Sequence, residues 1–119
     1  MNKAIVSGNL AKDPEIRYTQ SGKAVCNFSI GVNSGWGDNK RTDWLSIVVW
    51  GKTAEACGNN LTKGRKVLVE GRIQVRSYDA NDGSKRYVTE IVANEVEFID
   101  ARKATGQGSQ TVPDEEIPF

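Results

Sequence analysis

Two tryptophans in one short segment, Trp44 and Trp50, have the type and spacing that a binding surface requires. They lie six positions apart in segment 42–50, which reads TDWLSIVVW. Successive side chains of a β-strand point to opposite faces, so both indoles would share one face. The opposite face would carry the aliphatic residues Leu45, Ile47 and Val49. This pattern favours a platform on which flat rings stack; the alternative is a strand buried on both faces, in a sandwich or a subunit contact.

Further aromatic and basic residues would extend this platform. Trp36 lies in the polar, glycine-rich segment 34–41, where we expect it to contact a ligand; the alternative is a lid folded back on the core. Tyr78 would share the outer face of a long strand with Arg72 and Arg76. We assign phosphate contacts also to Lys52, Lys85 and Arg86. Rings stack on any base and nearby cations follow the phosphates, so the set predicts binding of single-stranded nucleic acid.

The elements that must position these residues are predominantly strands. Period-two alternation predicts strands at 3–10, with a bent continuation at 15–19, and at 24–33, 42–50, 66–78 and 86–99. Weaker alternation in the last strand indicates a bulge or a two-sided environment. A short helix is predicted at 53–61, capped by Thr53, with Ala56 and Leu61 on its inner face. Five strands with a helix between the third and fourth predict an all-β fold, the OB-fold, a five-stranded Greek-key barrel; the strand count alone also fits a small sandwich.

Composition narrows the classes of function. The 119 residues fit one domain with a core of its own, and they include no histidine, the commonest general base and metal ligand. Cys26 and Cys57 are isolated, which predicts reduced thiols in a cytoplasmic protein and no metal site. We expect no cofactor, no signal peptide and no membrane association. The expected location is the cytoplasm.

Charge and composition divide the chain into three parts. Residues 1–101 form the predicted domain, 102–113 a flexible linker, and 114–119 an acidic tip that ends in Ile-Pro-Phe. Residues 1–103 hold 16 basic and 12 acidic residues, a net charge of +4, a value that by itself fits any domain of this size. The tip residues Asp114, Glu115, Glu116, Ile117, Pro118 and Phe119 predict a disordered tail with a peptide handle for partner proteins, rather than an end of random composition.

A series of motifs resembles the bacterial and phage single-stranded DNA-binding protein family, SSB, over nearly the whole predicted domain. In chain order they are Asn2-Lys3, Gly8-Asn9-Leu10, Asp13-Pro14-Glu15-Ile16-Arg17-Tyr18, Gly22-Lys23-Ala24-Val25, Asp43-Trp44, Trp50-Gly51-Lys52, Ala54-Glu55, Lys63-Gly64, Val69-Glu70-Gly71 and Tyr87. Segment 114–119 is similar to the acidic tip of that family. Each motif is weak alone, but their order and spacing together are specific.

The resemblance implies a protein that coats single-stranded DNA in replication, recombination and repair. The base-stacking aromatics of the family correspond to Trp36, Trp44, Trp50 and Tyr78. It also implies a homotetramer and a tip that recruits replication, recombination and repair proteins. A dimer is the fallback, because Leu45 stands where the family often has a subunit-contact histidine. The sequence also departs from the usual pattern in a linker of about a dozen residues.

Two other classes of function fit parts of the sequence. Pairs of carboxylates at Glu95 and Glu97 and at Asp79 and Asp82, with Asp100 near the first pair, could hold Mg²⁺ for phosphodiester cleavage, but a solvated face and a hairpin turn explain them more simply. Without histidine or a glycine-rich phosphate loop, we expect a protein that is not an enzyme. The second class is an OB-fold that binds RNA or serves as a scaffold.

Overall fold

The computed structural model describes residues 1–99. The strands are β1 Ala4–Leu10, β2 Glu15–Tyr18, β3 Ala24–Ser34, β4 Arg41–Trp50, β5 Lys66–Asp79 and β6 Lys85–Phe98. A 3₁₀ turn spans Gly37–Asn39, and helix α1 spans Gly51–Asn60 between β4 and β5. The linker at 102–113 and the tip at 114–119, with the predicted disorder of the tail, lie outside the described residues.

The strands form one curved sheet that closes on itself. Their order is β1-β5-β6-β4-β3-β2, and β1 also pairs with β3 through Asn9 and Leu10. All pairings are antiparallel except the short parallel contact of β4 with β6. Both β1 and β2 pair with β3, so β2 is the bent continuation of the first strand. With β1 and β2 counted as one strand, this topology confirms the predicted five-stranded OB-fold.

The core lies inside the barrel and is closed at one end by α1. Side chains that are fully buried come from β3, β4, β5 and the helix. They are Cys26, Ile30, Ile47, Val49, Ala54, Cys57, Val67 and Val69. These positions alternate along each strand with residues of the outer face, which are less buried next to Ile47, Val49, Val67 and Val69, the pattern expected of a barrel with one packed face.

The start of α1 differs from the sequence-based expectation. The helix begins at Gly51, directly after β4, and its N-cap is Trp50, which makes no side-chain capping hydrogen bond. Gly51 has φ +71°, a left-handed conformation that turns the chain from strand to helix within one residue. The predicted cap at Thr53 is therefore wrong. The helix buries Ala54 and Cys57, and Ala56 is only partly buried.

The last two strands form a long hairpin with a bulge, as the irregular alternation predicted. The register shifts between Glu70, which pairs with Glu95, and Gly71, which pairs with Ala93. Asn94 is the extra residue of the bulge. Beyond the bulge the hairpin extends past the barrel. Ile73 and Val75, on the same side of β5 as the buried Val67 and Val69, are therefore exposed.

The N-terminus is fastened to this hairpin. The side chain of Asn2 donates a hydrogen bond to the carbonyl of Ile73 and accepts one from its N–H, both at 2.8 Å. Lys3 forms an ion pair with Glu70 (2.7 Å), which raises the pKa of Lys3 through the hydrogen bond and the charge of that carboxylate. Asn2 thus takes the place of a strand residue opposite Ile73.

Candidate nucleic-acid interface

The two tryptophans lie on the outer face of β4, and polar residues of β3 pair with the two outer-face positions between them. Trp44 pairs with Gly31, Ser46 with Ser29, Val48 with Asn27 and Trp50 with Val25. Trp44 is 63% exposed and Trp50 44% exposed, whereas Ile47 and Val49 on the inner face are sealed in the core. Within the single chain the strand is therefore buried on one face, and the indoles stand on the other.

Gly31 is a residue of this face that sequence reasoning missed. A Cβ atom at Gly31 would lie 2.7 Å from Cζ3 of Trp44, closer than two carbon atoms can approach. The six-membered ring of the Trp44 indole therefore lies close over the bare backbone of Gly31, while Trp44 as a whole stays 63% exposed. A glycine inside an otherwise alternating strand is a signal for such a close approach.

The register of β5 and β6 brings the predicted basic residues to the same face. Ser46 of β4 pairs with Glu90 of β6, and Glu90 pairs with Gln74 of β5. The side chains of two paired residues lie on the same face of the sheet, and so does every second side chain along each strand of the hairpin. The residues so aligned with Trp44 and Trp50 are Arg72, Arg76, Tyr78 and Arg86.

The other predicted site residues are not aligned with Trp44 and Trp50 in this way; they are Lys85, Lys52 and Trp36. Lys85 pairs with Asp79 and is adjacent to Arg86, so it lies on the opposite face of the hairpin. Lys52 is exposed in the first turn of α1, two residues after Trp50. Trp36 precedes the 3₁₀ turn and is 83% exposed, which rules out its alternative role as a lid on the core. The structure does not join Trp36 to the other aromatics.

Hydrogen bonds hold two of the arginines in place. Nε of Arg76 donates to Oε1 of Glu90 at 2.5 Å, and Glu90 is only 4% exposed. Arg86 donates to Ser84 Oγ (3.2 Å) and lies 3.6 Å from Asp82. The pKa of Asp82 is lowered, mainly by the hydroxyl and N–H of Ser84 and also by Arg86. Asp82 thus works as a turn residue, and residues 1–99 contain no group of three acidic or cysteine side chains placed to hold a metal ion.

Two neighbouring cavities, of about 330 and 550 Å³, form a groove along this face. Asn27, Val48, Arg76 and Glu90 line both. The smaller cavity is bounded by the β1–β2 connection, and the larger one reaches Trp50 and Arg17. Sequence reasoning did not select Arg17, Asn27 or Glu90, because their proximity to the tryptophans depends on strand register. The groove combines stacking surfaces, cations and one buried carboxylate.

Comparison with known proteins agrees with this geometry. The model of the Single-strand binding protein family matches residues 1–99. The chain is 50% identical over 103 residues to single-stranded DNA-binding protein 2 of Clostridium acetobutylicum, covering 84% of this chain and 77% of that one. It is 43% identical over 119 residues to the single-stranded DNA-binding protein of Caldanaerobacter subterraneus, covering 98% and 78%.

A solved structure has the same fold. The chain superposes on the Plasmodium falciparum SSB in complex with ssDNA with a TM-score of 0.79 and 29% sequence identity. The superposition covers 84% of this chain and 96% of that one. In the part of the chain that the structure describes, no helix is both long and apolar enough to span a membrane.

Proposed function

Because the chain belongs to the Single-strand binding protein family, we propose that it coats and protects single-stranded DNA during replication, recombination and repair. The observation that carries this proposal is the exposure of Trp44 and Trp50 on the face that also holds Arg72, Arg76 and Tyr78. Exposed indoles stack on bases of any sequence, and the arginines neutralise phosphates. Trp36 and Lys52 would extend the contact at its ends.

The decisive experiment is a titration of tryptophan fluorescence with oligodeoxythymidylate at two salt concentrations. Stacking quenches indole fluorescence, and binding weakens with salt because phosphate contacts release counterions. A duplex hides its bases, so duplex DNA of equal length is the matched competitor and should bind far more weakly. Equal affinity for duplex and single strand would contradict the stacking mechanism.

Two alternative functions, RNA binding and nuclease activity, can be tested with the same protein preparation. We propose binding without cleavage, which incubation of a labelled single strand with Mg²⁺ checks directly. Competition between DNA and RNA oligonucleotides of one sequence separates the DNA role from an RNA role, since a dedicated RNA reader contacts the 2′-hydroxyl. This role would place the protein with the DNA of a bacterial cytoplasm, or of the host cytoplasm if phage-encoded.

A homotetramer is the proposed assembly, with a dimer as the fallback. Along Ala4–Ser7 strand β1 pairs on one side with β5, and no strand of residues 1–99 pairs with its other side. Ile5 on the same strand is 63% exposed. An unpaired edge beside an exposed apolar side chain suits a symmetric contact with a second copy. Light scattering should give a mass near four times 13.0 kDa, and a mass of one chain would refute the assembly.

The segment 114–119 is proposed to recruit replication, recombination and repair proteins. Its three carboxylates would meet basic residues of a partner, and Phe119 with Ile117 would fill an apolar slot. Removal of 114–119 should abolish pull-down of such partners while DNA affinity stays equal or rises slightly at low salt. Truncation that weakens DNA binding and spares the partners would contradict this role.

A further inference from the structure

Arg17 of β2 lies at the end of the groove where Trp50 is exposed. Arg17 pairs with Val25 of β3, and Val25 pairs with Trp50 of β4, so the three side chains form one row across the outer face. Arg17 and Trp50 are thus two strands apart, on the order of 10 Å. Both side chains are exposed, and both line the larger cavity. A nucleotide whose base stacks on the indole of Trp50 would therefore have this guanidinium within reach of its phosphate.

Asn27 of β3 holds the guanidinium of Arg17 at this end of the groove. Its amide oxygen accepts a hydrogen bond from Nη2 of Arg17 (3.0 Å), and its NH₂ group donates to the carbonyl of Cys26 (3.2 Å), the orientation that satisfies both ends of the amide. Asn27 is half-buried and lines both cavities. Because an amide carries no charge, this contact orients the guanidinium and leaves its positive charge available.

The charge of Arg17 distinguishes it from Arg76, which lines the same cavity from β5. Arg76 is paired with the buried carboxylate of Glu90, whose negative charge offsets it. Within residues 1–99 no carboxylate forms an ion pair with Arg17, although Glu15 is two positions away on the same face of β2. A guanidinium has five N–H groups, so it can bind phosphate oxygens while one group stays with Asn27. Among the residues that line the larger cavity, the uncompensated positive charge is that of Arg17.

We propose that Arg17, oriented by Asn27, binds the phosphate of the nucleotide that stacks on Trp50. Arg17 is then a binding residue, and Asn27 is a positioning residue that acts only through Arg17. In the strand order, β2 lies on the side of β4 away from the β5–β6 hairpin. The single strand is thus held on both sides of Trp50, by Arg17 from one side and by the arginines of the hairpin from the other. This inference rests on the proposed function and adds a phosphate contact on β2 to it.

The test is a fluorescence titration of the wild-type protein and of Arg17→Gln over a range of salt concentrations, with an oligodeoxythymidylate short enough to bind one subunit. One phosphate contact to a single strand contributes about 0.7 to the slope of log affinity against log salt, so the slope should become less negative by about this amount in Arg17→Gln. Relative to binding at about 1 M salt, a purely electrostatic contact then gives a roughly eightfold loss of affinity near 50 mM and a roughly threefold loss near 200 mM. An unchanged slope overturns the phosphate contact.

Lys23→Gln is the matched control, since it removes one positive charge from the turn at 19–23 that follows β2, and Lys23 lines neither cavity. The affinity and the salt slope of this variant should stay close to those of the wild type. Equal losses in Lys23→Gln and Arg17→Gln would show a general effect of net charge and overturn the assigned contact. Failure of the wild-type protein to bind the oligonucleotide would instead overturn the proposed function.

Asn27→Ala tests the positioning role. Loss of the amide leaves the guanidinium of Arg17 unoriented, so binding should weaken in the wild-type background and change little further in Arg17→Gln. The salt slope is measured on the same samples, and melting temperatures show that each variant is folded. Additive losses of affinity in the double variant would overturn the role of Asn27 as a residue that acts through Arg17.

A change of ligand separates a phosphate contact from a base contact. In an oligodeoxythymidylate with methylphosphonate linkages the bases are kept, but the backbone carries no charge. Wild-type protein and Arg17→Gln should bind this oligonucleotide with equal affinity, because the charge that Arg17 contacts is gone. A loss of affinity in Arg17→Gln that persists with the neutral backbone would assign Arg17 to a base edge and overturn the proposal.

Discussion

Strand β4 presents apolar side chains on both faces, but its inner face is sealed and its outer face is open. Ile47 and Val49 are 1% and 0% exposed, and Trp44 and Trp50 on the opposite side are 63% and 44% exposed. Burial of the aliphatic side chains stabilises the fold, whereas the indoles keep their apolar surface available to a ligand. The difference teaches that hydrophobicity alone does not assign a residue to the core. The two faces of β4 differ in whether the rest of the fold packs over them: the inner face is covered, and the outer face is open to solvent.

The largest effect is expected from the sealed face. Ile47→Ala should lower the free energy of unfolding by about 2–5 kcal/mol, because it removes buried methyl groups and leaves a cavity. Chemical denaturation monitored by circular dichroism measures this change. Ile73→Ala is the matched control, since Ile73 is 47% exposed and its loss should matter much less. Similar losses in both variants would contradict the division between sealed and open positions.

The open face should respond in binding and not in stability. Trp44→Ala and Trp50→Ala should each weaken single-strand binding by about 1–3 kcal/mol, the value of one stacked base. Their free energies of unfolding should stay within about 0.5 kcal/mol of the wild type, as for other surface substitutions. Binding isotherms and denaturation curves on the same preparations check both. Trp44→Phe, which keeps a ring, should retain most of the affinity; a collapse of stability with unchanged affinity would assign the indoles to the core.

Much of this arrangement could be predicted from the alternation of residue types. Polar and apolar residues alternate over most of β3 and β5, and in β4 the two tryptophans lie on the face opposite the aliphatic residues Leu45, Ile47 and Val49. This pattern located the strands within one or two residues and separated the two faces. The start of α1 could not be located, because it depends on the positive φ of Gly51. The pairing of Arg76 with Glu90 could not be predicted either. These residues are 14 positions apart, and only the register of the hairpin beyond its bulge brings them together.

A smaller effect is expected from a substitution at Gly31 of β3, which lies against the ring of Trp44. Gly31→Ala would place a methyl group 2.7 Å from the ring of Trp44, so the indole must tilt away. Single-strand affinity should fall on the order of 1 kcal/mol, at the lower end of the value of a stacked base. Fluorescence titration measures it, and Trp44→Ala supplies the control: in that background Gly31→Ala should have little further effect. Additive losses would show that Gly31 acts independently of Trp44.

At neutral pH the smallest effect is expected from the thiols of the sealed interior, because their contribution changes only in alkaline solution. Burial raises the pKa of Cys26 to about 11 and, together with the charge of Cys26, that of Cys57 to about 12, from an ordinary value of 9.0. Unfolded thiols release protons above pH 9.0 while the folded ones keep them, so the free energy of unfolding should fall as pH rises from 9.0 toward 11.

Melting temperatures across this alkaline range check the prediction, with Cys57→Ala as the comparison. The variant should lose stability less steeply than the wild type, because it lacks one of the two titrating thiols. An equally steep loss would mean that other groups dominate the alkaline transition. A thiol reagent should also fail to modify either cysteine until the protein is unfolded, since both are fully buried.

The two hydrogen bonds between Asn2 and Ile73 bear on how the exposed edge of β5 can meet strands of other chains. Beyond the last residue paired with β1, the edge of β5 carries exposed Ile73 and Val75, and no strand of residues 1–99 covers it at 74–79. Exposed apolar edges of this kind recruit strands from other chains into irregular assemblies. The side chain of Asn2 occupies both backbone groups of Ile73, so an incoming strand finds its first pairing position already taken. A single polar side chain near the N-terminus thus satisfies both backbone groups of Ile73 and denies this one position of the β5 edge to a strand from another chain.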